Sequence, residues 1–509
     1  MNYIRKNFFK IIPFIPITIT YFLLRLSYLS RLPIFTDEAI YARWAQIARD
    51  DASWRFISLT DGKQPLFVWF SMIFMKFIED PLIAARLVSV FSGFFTLIGL
   101  WFLAFELFKN KKIAYLTSIL YIFYPFAQVY DRMAMMDSMV GAFSVWAIYF
   151  SILLVRKIRL DIAYTLGFII GAGILTKTSN FFSIYLLPFT VILFDIKQNA
   201  RFEKFVKWGL LALVSVAISL VIYNLLRLSP LFQMISTKNA VFVYPFSEWF
   251  NHPFTFFVGN IRGLFNWLFA YLTPFYSFLI LISLVLFYKQ TKEKVLLLIY
   301  FSLPFVALAL FGRIIFPRFI YFMSLYLLPL AGVGLFELSQ YLSNKFKIST
   351  SLSLVLLTAF FVFYPASISY TFAKDPINAK IAGSDSNQYI NNWSAGWGIK
   401  ESTDFLSEKA SKGKIYVGTE GTFGLLPAGL ELYLVRNKNI TLKGYWPVEH
   451  SLPKESLDYA EKIPSYFIFY QPNNVVIPQN YPLKLIFKER AGSSDYYFRL
   501  YEIIPSKSN

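Results

Sequence analysis

The sequence lacks cysteine and contains only two histidines, His252 and His450. The absence of cysteine excludes disulfides, cysteine nucleophiles and thiolate metal sites. Two histidines alone argue against a multi-histidine metal centre. Charged residues are also scarce, at 16% of the 509 residues, whereas 56% are hydrophobic and 20% aromatic. This balance excludes an ordinary water-soluble protein and predicts a polytopic membrane protein.

Eleven apolar segments approach the length that crosses a hydrocarbon core of about 30 Å, and each should be a helix because it then satisfies its own backbone hydrogen bonds. They cover approximately residues 11–29, 84–108, 113–130, 138–155, 161–176, 180–196, 207–226, 265–288, 294–312, 319–341 and 348–366. No small-residue cleavage site follows the first segment, which predicts a retained span. The shorter apolar run from Pro65 to Ile78 predicts an interfacial or re-entrant segment.

The net charge of +19 raises the question of nucleic acid, but the distribution of the charge points to membrane topology. Basic residues cluster in short loops between alternate pairs of apolar segments. These clusters are Arg5, Lys6 and Lys10; Lys109, Lys111 and Lys112; Arg156, Lys157 and Arg159; Lys197, Arg201, Lys204 and Lys207; Lys289, Lys292 and Lys294; and Lys345 and Lys347. If these loops are cytoplasmic, the N-terminus is cytoplasmic and the C-terminal tail extracytoplasmic.

The tail is more polar than the rest of the chain. It contains one helical pattern, ESTDFLSEKA, and strand patterns in KIYVGT, ITLKGYW, YFIFY, LKLIFKER and DYYFRLYEII. We therefore predict a transmembrane domain over residues 1–369, with outer loops at 30–83 and 227–262, and an extracytoplasmic α/β domain over 370–509. The predicted fold class is an α-helical polytopic membrane protein of about eleven transmembrane helices with this small C-terminal domain.

An acidic pair, Asp37 and Glu38, follows the first apolar segment directly. The stretch from Ile34 to Asp51 has the periodicity of an amphipathic helix, with Thr36 as the candidate N-cap. The acids therefore lie in the first turn, near the bilayer surface. Ordinary capping and favourable interaction with the helix dipole explain such acids equally well, so the pair alone does not establish a function.

Further charges lie on the same predicted outer side, and intramembrane or membrane-boundary charges often mark functional sites. They are Lys63 in a turn before Pro65, Arg86, the group Asp131, Arg132 and Asp137, Lys177, and Arg313 with Arg318. Lysine and arginine near helix ends also snorkel to the membrane surface, which is the alternative for Arg86 and Lys177. Pairing with Asp137 is the alternative for Arg132. The long segment from Arg227 to Arg262 is rich in aromatic residues and suits a loop that covers a cavity.

A few carboxylates among many cations suit the transfer of a sugar from a polyprenyl-phosphate donor. The phosphate is a good leaving group once its charge is compensated, so one carboxylate suffices as the base that deprotonates the acceptor hydroxyl. A transporter or flippase of lipid-linked glycans also needs cations in a membrane cavity and remains the alternative. Transporters frequently contain inverted repeats, and the sequence shows none.

Six motifs occur in one order: TDEAIYA, GKQPLFVW, AARLVSV, DRMAMMDSM, GILTKT and PRFIYFMSLYLLPL. In this order they resemble the GT-C glycosyltransferases, specifically the protein O-mannosyltransferase-like and aminoarabinose-transferase-like group, over about the first 340 residues. The resemblance implies that Asp37 is the catalytic base, that Asp137 is the second-loop acid, and that Lys63 and Arg318 approach the lipid phosphate. The aminoarabinose transferases have a zinc-binding Glu before that lysine, whereas Gly62 stands here, so no metal is carried over.

The sequence thus predicts an inverting glycosyltransferase, multi-pass in the plasma membrane, that uses a polyprenyl-phosphate sugar and an extracytoplasmic protein, lipid or glycan acceptor. Its expected partners are these substrates and membrane lipids, without nucleic acid, and no cofactor is indicated although a divalent metal is compatible. The predicted catalytic residues are Asp37, Glu38 and Asp137, and the predicted phosphate-binding residues are Lys63, Arg86, Arg132, Lys177 and Arg318.

Overall fold

A computed structural model describes residues 14–285, 289–448, 451–475, 477 and 481–505. The N-terminal basic cluster of Arg5, Lys6 and Lys10 lies outside the described residues, as does His450. The predicted orientation of the N-terminus therefore stays a prediction.

Helices dominate the first three quarters of the chain. In the first half they are α1 (Phe14–Leu26), α2 (Thr36–Asp50), α3 (Leu66–Phe74), α4 (Pro81–Phe108), α5 (Lys111–Ile122), α6 (Pro125–Tyr130), α7 (Met136–Lys157), α8 (Leu160–Thr176), α9 (Phe182–Leu186), α10 (Arg201–Asn224), α11 (Met234–Phe242) and α12 (Phe246–Asn251). They continue as α13 (Phe257–Val285), α14 (Thr291–Phe311), α15 (Arg318–Ser324), α16 (Leu328–Phe346), α17 (Thr350–Lys374) and the one-turn α18 (Gly383–Ser386).

Within the described ranges, seven helical stretches are long and apolar enough to cross a membrane. They are Pro81–Phe108, Met136–Lys157, Arg201–Leu228, Phe257–Val285, Thr291–Phe311, Arg318–Phe346 and Thr350–Lys374. Shorter apolar helices at Phe14–Leu26, Leu160–Thr176 and Thr178–Leu193 coincide with three further predicted segments. The prediction of a helical, multi-pass membrane fold is confirmed.

Two short helices in the first half of the chain are explained by the sequence. The predicted segment 113–130 is divided between α5 and α6 because Pro125 starts a new helix and cannot continue the hydrogen bonds of the previous one. The run from Pro65 to Ile78 forms α3, which has nine residues and is too short to span a bilayer.

The C-terminal region contains a five-stranded mixed sheet, as the tail patterns predict. Its elements are β2 (Ala395–Gly396), α19 (Ile399–Ser411), β3 (Ile415–Glu420), α20 (Leu425–Leu434), β4 (Ile440–Tyr445), α21 (Lys454–Ala460), β5 (Ser465–Pro472), β6 (Leu483–Arg490) and β7 (Tyr496–Ile503). The strand order is β4-β3-β5-β7-β6, with β3 parallel to β4 and β5 and the other pairs antiparallel. The small C-terminal α/β domain is therefore confirmed.

This domain packs directly on the loop that follows α1. A short strand β1 (Ile34–Phe35) pairs antiparallel with β2, and α2 then lies along α20. Arg43 donates to Glu431 at 3.1 Å, and the Gln46 side-chain amide donates to the Leu432 carbonyl at 2.8 Å. One apolar cluster joins α2, the start of α4 and the C-terminal sheet. Helix α2, which carries Asp37, is thus held between the membrane helices and the C-terminal domain.

Candidate functional site

A cavity of about 440 Å³ lies between α7, α11, α14 and α15 and the loop before α3. Four cationic side chains line it, namely Lys63, Lys177, Lys238 and Arg318. The rest of the lining is largely apolar and includes Met136, Val140, Phe182, Tyr185, Phe242, Pro304, Ala307, Leu308, Phe311, Phe319 and Phe322. A cavity of this composition suits an amphiphilic anion.

Two phenylalanine rings bring the four cations together. The rings of Phe242 and Phe319 meet edge to face, with centroids 5.8 Å apart. The ammonium nitrogens of Lys63 and Lys238 lie 5.4 and 6.0 Å from the Phe242 centroid. Lys177 and Arg318 lie 5.0 and 5.9 Å from the Phe319 centroid. Cation–π contact within about 6 Å helps to hold like charges close without a protein counter-ion for each.

Asp37 is not among the residues that line the cavity, but it contacts the cation cluster through Arg318. Its first-turn position in α2 directs the carboxylate to Arg318, the first residue of α15, and Arg318 Nη1 donates to Asp37 Oδ2 at 2.7 Å. Burial by itself raises the pKa of the Asp37 carboxyl, but the charges of Arg318 and Lys63 outweigh it and hold that pKa below its ordinary value. Asp37 is therefore a carboxylate at neutral pH.

Asp137 and Lys177 form a second ion pair in the cavity wall. Lys177 Nζ donates to Asp137 Oδ1 at 2.7 Å, and Asp137 is buried in the first turn of α7. Both residues line the cavity. Asp137 and Lys177 thus lie near Asp37 and Arg318, and their roles in catalysis and phosphate binding stay predictions. Neither the snorkelling alternative for Lys177 nor pairing of Asp137 with Arg132 describes these contacts.

Lys63 has no carboxylate within ion-pair distance among the residues that the structure describes, in contrast to the other three cations. Burial lowers the pKa of Lys63 from 10.5 to about 8, the Asp37 charge opposes this, and the charges of Arg318 and Lys177 lower it further. A half-buried ammonium beside other cations gains most from an anionic ligand.

Lys238 is the cavity residue that the sequence did not single out. It projects from α11, within the segment predicted to cover a cavity, and its ammonium donates to Asp61 at 2.6 Å. Backbone hydrogen bonds from Tyr244 to Phe311 and from Arg313 to Phe242 fasten this segment beside α14. The sequence feature that could have identified Lys238 is its position as the one lysine in this aromatic-rich segment. Arg313 itself is exposed and does not line the cavity.

Glu38 and Arg86 were predicted as site residues, but the structure does not bring them to the cavity. Both side chains are 0% exposed and form a bidentate pair, with Nε to Oε1 and Nη2 to Oε2 each at 2.8 Å. Arg86 also donates to the carbonyls of Leu29, Leu32 and Pro33. The pair lies outside the cavity because buried charges must be fully compensated, and each group is committed to the other. It fixes the loop that leads to Asp37.

Thr36 does not cap α2, in contrast to the sequence prediction. The helix has Phe35 at its N-cap, and the Phe35 amide donates to the Glu38 carboxylate at 2.9 Å. The Thr36 hydroxyl instead donates to the Ser394 carbonyl at 3.1 Å. The Thr36 side chain therefore bonds to the C-terminal domain and not, as the local sequence pattern had predicted, to the first turn of α2.

Arg132 was predicted to bind phosphate, and the structure places it elsewhere. Its guanidinium donates to the carbonyls of Leu24, Arg25, Ser27 and Tyr28 at 2.7–3.0 Å. These carbonyls lie at the C-terminal end of α1, where a helix leaves carbonyls without intrahelical partners. Arg132 therefore caps α1. Its neighbour Asp131 is paired with Arg25 at 3.0 Å in the interior.

Asp385 is a further buried carboxyl close to the site. Its Oδ2 accepts hydrogen bonds from Tyr130, at 2.8 Å, and from Tyr271. Burial raises the pKa of Asp385 to about 7. Tyr389 links this cluster to the start of α2, since its hydroxyl contacts that of Tyr130 at 3.2 Å and its ring meets Phe35 edge to face. These contacts fasten the segment after α17 to the membrane helices behind Asp37.

Position 62 does not fit a zinc ligand. Gly62 has a φ of +63°, and a Cβ there would lie 2.3 Å from the Met234 carbonyl oxygen and 2.6 Å from Lys238 Cβ. A glutamate at this position would displace α11. Among the described residues, no cluster of three or more His, Cys, Asp and Glu side chains has the arrangement of a metal site.

Residues 62–224 match the family model of dolichyl-phosphate-mannose-protein mannosyltransferases. The fold is similar to that of ArnT from Cupriavidus metallidurans in the apo state, with 13% identity over 98% of each chain and a TM-score of 0.57. ArnT bound to undecaprenyl phosphate gives 14% identity over 96% of this chain and 97% of that chain, with a TM-score of 0.55.

The archaeal oligosaccharyltransferase AglB from Archaeoglobus fulgidus, in complex with an inhibitory peptide and a dolichol-phosphate, is also similar. It gives 14% identity over 91% of this chain and 69% of that chain, with a TM-score of 0.52. No curated protein matches the chain in sequence. The chain thus shares the fold of these ArnT and AglB structures, and the family match covers residues 62–224.

Proposed function

We propose that this protein is an inverting glycosyltransferase that moves a sugar from a polyprenyl-phosphate donor to an extracytoplasmic acceptor, with Asp37 as the general base. The observation that carries the proposal is the 2.7 Å pair between Asp37 and Arg318 at the edge of a cavity lined by four cations. This contact supports the proposal, because the reaction needs a base close to a cation that binds the leaving phosphate.

The charges of the cavity match a phosphodiester. Lys177, Lys238 and Arg318 pair with Asp137, Asp61 and Asp37 respectively. Lys63 adds a fourth cation, so these seven groups in and beside the cavity carry one net positive charge when Lys63 is protonated. A sugar joined to a polyprenol through one phosphate carries one negative charge. The donor therefore neutralises the cavity, which favours a monophosphate linkage over a pyrophosphate.

The apolar part of the cavity suits an isoprenoid chain. Phe182, Phe311 and Phe322 line it together with aliphatic side chains from α14. The solved relatives support this donor class, because one ArnT structure contains undecaprenyl phosphate and the AglB structure contains a dolichol-phosphate. Burial of a chain of this kind supplies affinity, and the cations orient the phosphate.

The proposed reaction is a single displacement at the anomeric carbon. Asp37 accepts the proton of the acceptor hydroxyl as that oxygen bonds to the carbon, and the bond from carbon to phosphate oxygen breaks with its electron pair on the phosphate. Arg318, Lys63 and Lys238 stabilise the charge that develops on the leaving phosphate. The low pKa of Asp37 suits proton transfer late in a reaction with oxocarbenium character, when the attacking hydroxyl has become acidic.

Other predicted residues take supporting roles in this proposal. Asp137 holds Lys177 in the cavity wall, at 2.7 Å. The pair of Glu38 and Arg86 fixes the start of α2, and Arg132 fixes the end of α1. Glu38, Arg86 and Arg132 do not line the cavity.

Asp37→Asn tests the proposal. In nanodiscs, with a radiolabelled polyprenyl-phosphate sugar and cell-envelope material as acceptor, we expect transfer to fall by roughly 10²- to 10⁴-fold, the usual range for loss of a general base. Binding of undecaprenyl phosphate should be retained, because Arg318 keeps its charge. Asp50→Asn, at the exposed end of the same helix, is the matched control. Near-full transfer by a folded Asp37→Asn protein would remove the assignment.

A further inference from the structure

Neutral polar side chains lie next to the cations of the cavity. Three of the four cations are lysines, and the residue that follows each lysine in the chain is neutral, polar and also lines the cavity. The three resulting pairs are Lys63–Gln64, Lys177–Thr178 and Lys238–Asn239. A ligand whose phosphate contacts the lysines therefore has hydrogen-bonding groups beside that phosphate.

Gln64 and Asn239 have hydrogen-bonding capacity that the protein leaves unused. Gln64 is 2% exposed, and its side-chain nitrogen donates to the Thr178 hydroxyl at 2.6 Å. The Gln64 side-chain carbonyl accepts no hydrogen bond from the described residues, and the Asn239 side chain makes none with them. Both amides line the cavity, so a ligand inside it can satisfy these groups.

The carboxylates in and beside the cavity all have cationic partners. In the described part of the chain, Asp137 is the one acidic side chain that lines the cavity, and Asp37 and Asp61 lie beside it. The ion pairs are Asp137–Lys177 at 2.7 Å, Asp61–Lys238 at 2.6 Å and Asp37–Arg318 at 2.7 Å. A positively charged sugar would find each of these three carboxylates already paired and would lie near the ammonium of Lys63, which is unfavourable.

The supply of positive charge is limited as well. Over the residues that the structure describes, Lys63 is the one cavity cation without a carboxylate within ion-pair distance. The phosphodiester of the proposed donor carries one negative charge, which Lys63 compensates. A carboxylate on the sugar would be a second negative charge without a cation of its own, so its burial would be costly.

We propose that the donor sugar is uncharged and that Gln64 and Asn239 bind its hydroxyls. This inference rests on the proposed function, whose donor it specifies. A sugar hydroxyl both donates and accepts hydrogen bonds, and a side-chain amide does the same, so the two groups are complementary without any charge on the sugar. The cavity thereby rejects amino sugars and uronic acids through charge and selects neutral sugars through these amides.

The test compares donors that differ mainly in the charge of the sugar. Full-length protein in nanodiscs is titrated at pH 7 with undecaprenyl phosphates that carry glucose, glucosamine or glucuronic acid, and with the matching galactose and mannose series. In the series that binds most tightly, we expect the neutral donor to bind at least about tenfold more tightly than its amino and uronic acid counterparts, because an uncompensated charge costs at least this much.

Three variants test the two side chains. Gln64→Ala and Asn239→Ala should each weaken binding of the neutral donor by roughly two- to tenfold, the range for loss of one neutral hydrogen bond, and should leave the affinity for undecaprenyl phosphate unchanged. Gln64→Glu adds a carboxylate and should raise the affinity for the amino sugar donor, relative to the neutral donor, by at least about tenfold. Asn199→Ala is the matched control, because Asn199 is exposed and does not line the cavity.

Several results would overturn the proposal. An amino sugar or uronic acid that binds as tightly as the neutral member of its series would remove the charge selection. Unchanged binding of the neutral donor by Gln64→Ala and Asn239→Ala, or an equal loss for undecaprenyl phosphate, would remove the sugar contact and assign the two amides to packing. Failure of the proposed function is distinct, because it would appear as no binding of undecaprenyl phosphate by the wild type or no effect of Asp37→Asn on transfer.

Discussion

The pH dependence of phosphate binding is a direct test of the role of Lys63. Burial lowers the pKa of this ammonium to about 8 in the free protein. Undecaprenyl phosphate is a phosphomonoester with a second pKa near 6, so its charge is nearly constant above pH 7. Any loss of affinity between pH 7 and 9 therefore reflects a titrating group of the protein and not of the ligand. Since the anion binds the protonated amine, affinity should fall as the pH rises through the pKa of Lys63.

The size of the effect follows from the pKa. The protonated fraction of a group with a pKa of about 8 falls from about nine tenths at pH 7 to about one tenth at pH 9. If only the protonated form binds, the affinity falls by about tenfold, which corresponds to about 1.4 kcal/mol. The affinity that remains at pH 9 comes from the protonated fraction, in which Arg318 and Lys177 also line the cavity.

The assay measures the binding of radiolabelled undecaprenyl phosphate to the protein in nanodiscs at half-unit steps of pH. Lys63→Arg should abolish the slope because arginine stays protonated throughout the range, and Lys63→Met should bind weakly at every pH. Lys76→Arg changes an exposed lysine near α3 and should keep the wild-type profile. If the affinity of the wild type did not change with pH, or if Lys63→Arg kept the wild-type slope, the proposed contact between Lys63 and the phosphate would be refuted.

Two further predictions concern the support of the site. Glu38→Gln leaves the buried charge of Arg86 uncompensated and should lower the free energy of unfolding by about 3–5 kcal/mol, measured by chemical or thermal unfolding. The control Glu79→Gln changes an exposed residue and should have little effect on stability. Equal stabilities of the two variants would contradict the structural role of the Glu38–Arg86 pair. Gly62→Glu should displace the segment at Met234 and reduce both thermal stability and undecaprenyl phosphate affinity, since φ strain alone costs about 1–3 kcal/mol. Wild-type values for both would show that this packing is dispensable.

Much of the fold was accessible from the sequence because hydropathy and periodicity are local properties. Each predicted apolar segment coincides with helical residues, and the strands at Ile415–Glu420 and Ser465–Pro472 follow their apolar runs. Helix α20 was missed, since LLPAGLELYL is apolar without a clear period and a proline interrupts it. The α/β character of the tail was still correct, because it rests on several independent patterns.

Local sequence patterns did not predict which of the basic residues line the cavity. Arg86, Arg132 and Lys177 looked equivalent in the sequence, since each is a basic residue near the end of an apolar segment. In the structure Arg86 pairs with Glu38, Arg132 caps α1, and Lys177 alone lines the cavity. Lys238 lies 175 positions after Lys63 in the chain and yet shares one phenylalanine ring with it.

The sequence by itself determined the membrane class, the approximate spans, the polar tail and the set of charges from which a site can be assembled. It did so because the free energy of burying each apolar segment depends mainly on its own residues. Only the tertiary structure decided which charges face the cavity and which stabilise the scaffold. A buried charge must find a compensating partner, and for Asp37 that partner, Arg318, comes from a helix 281 positions away along the chain.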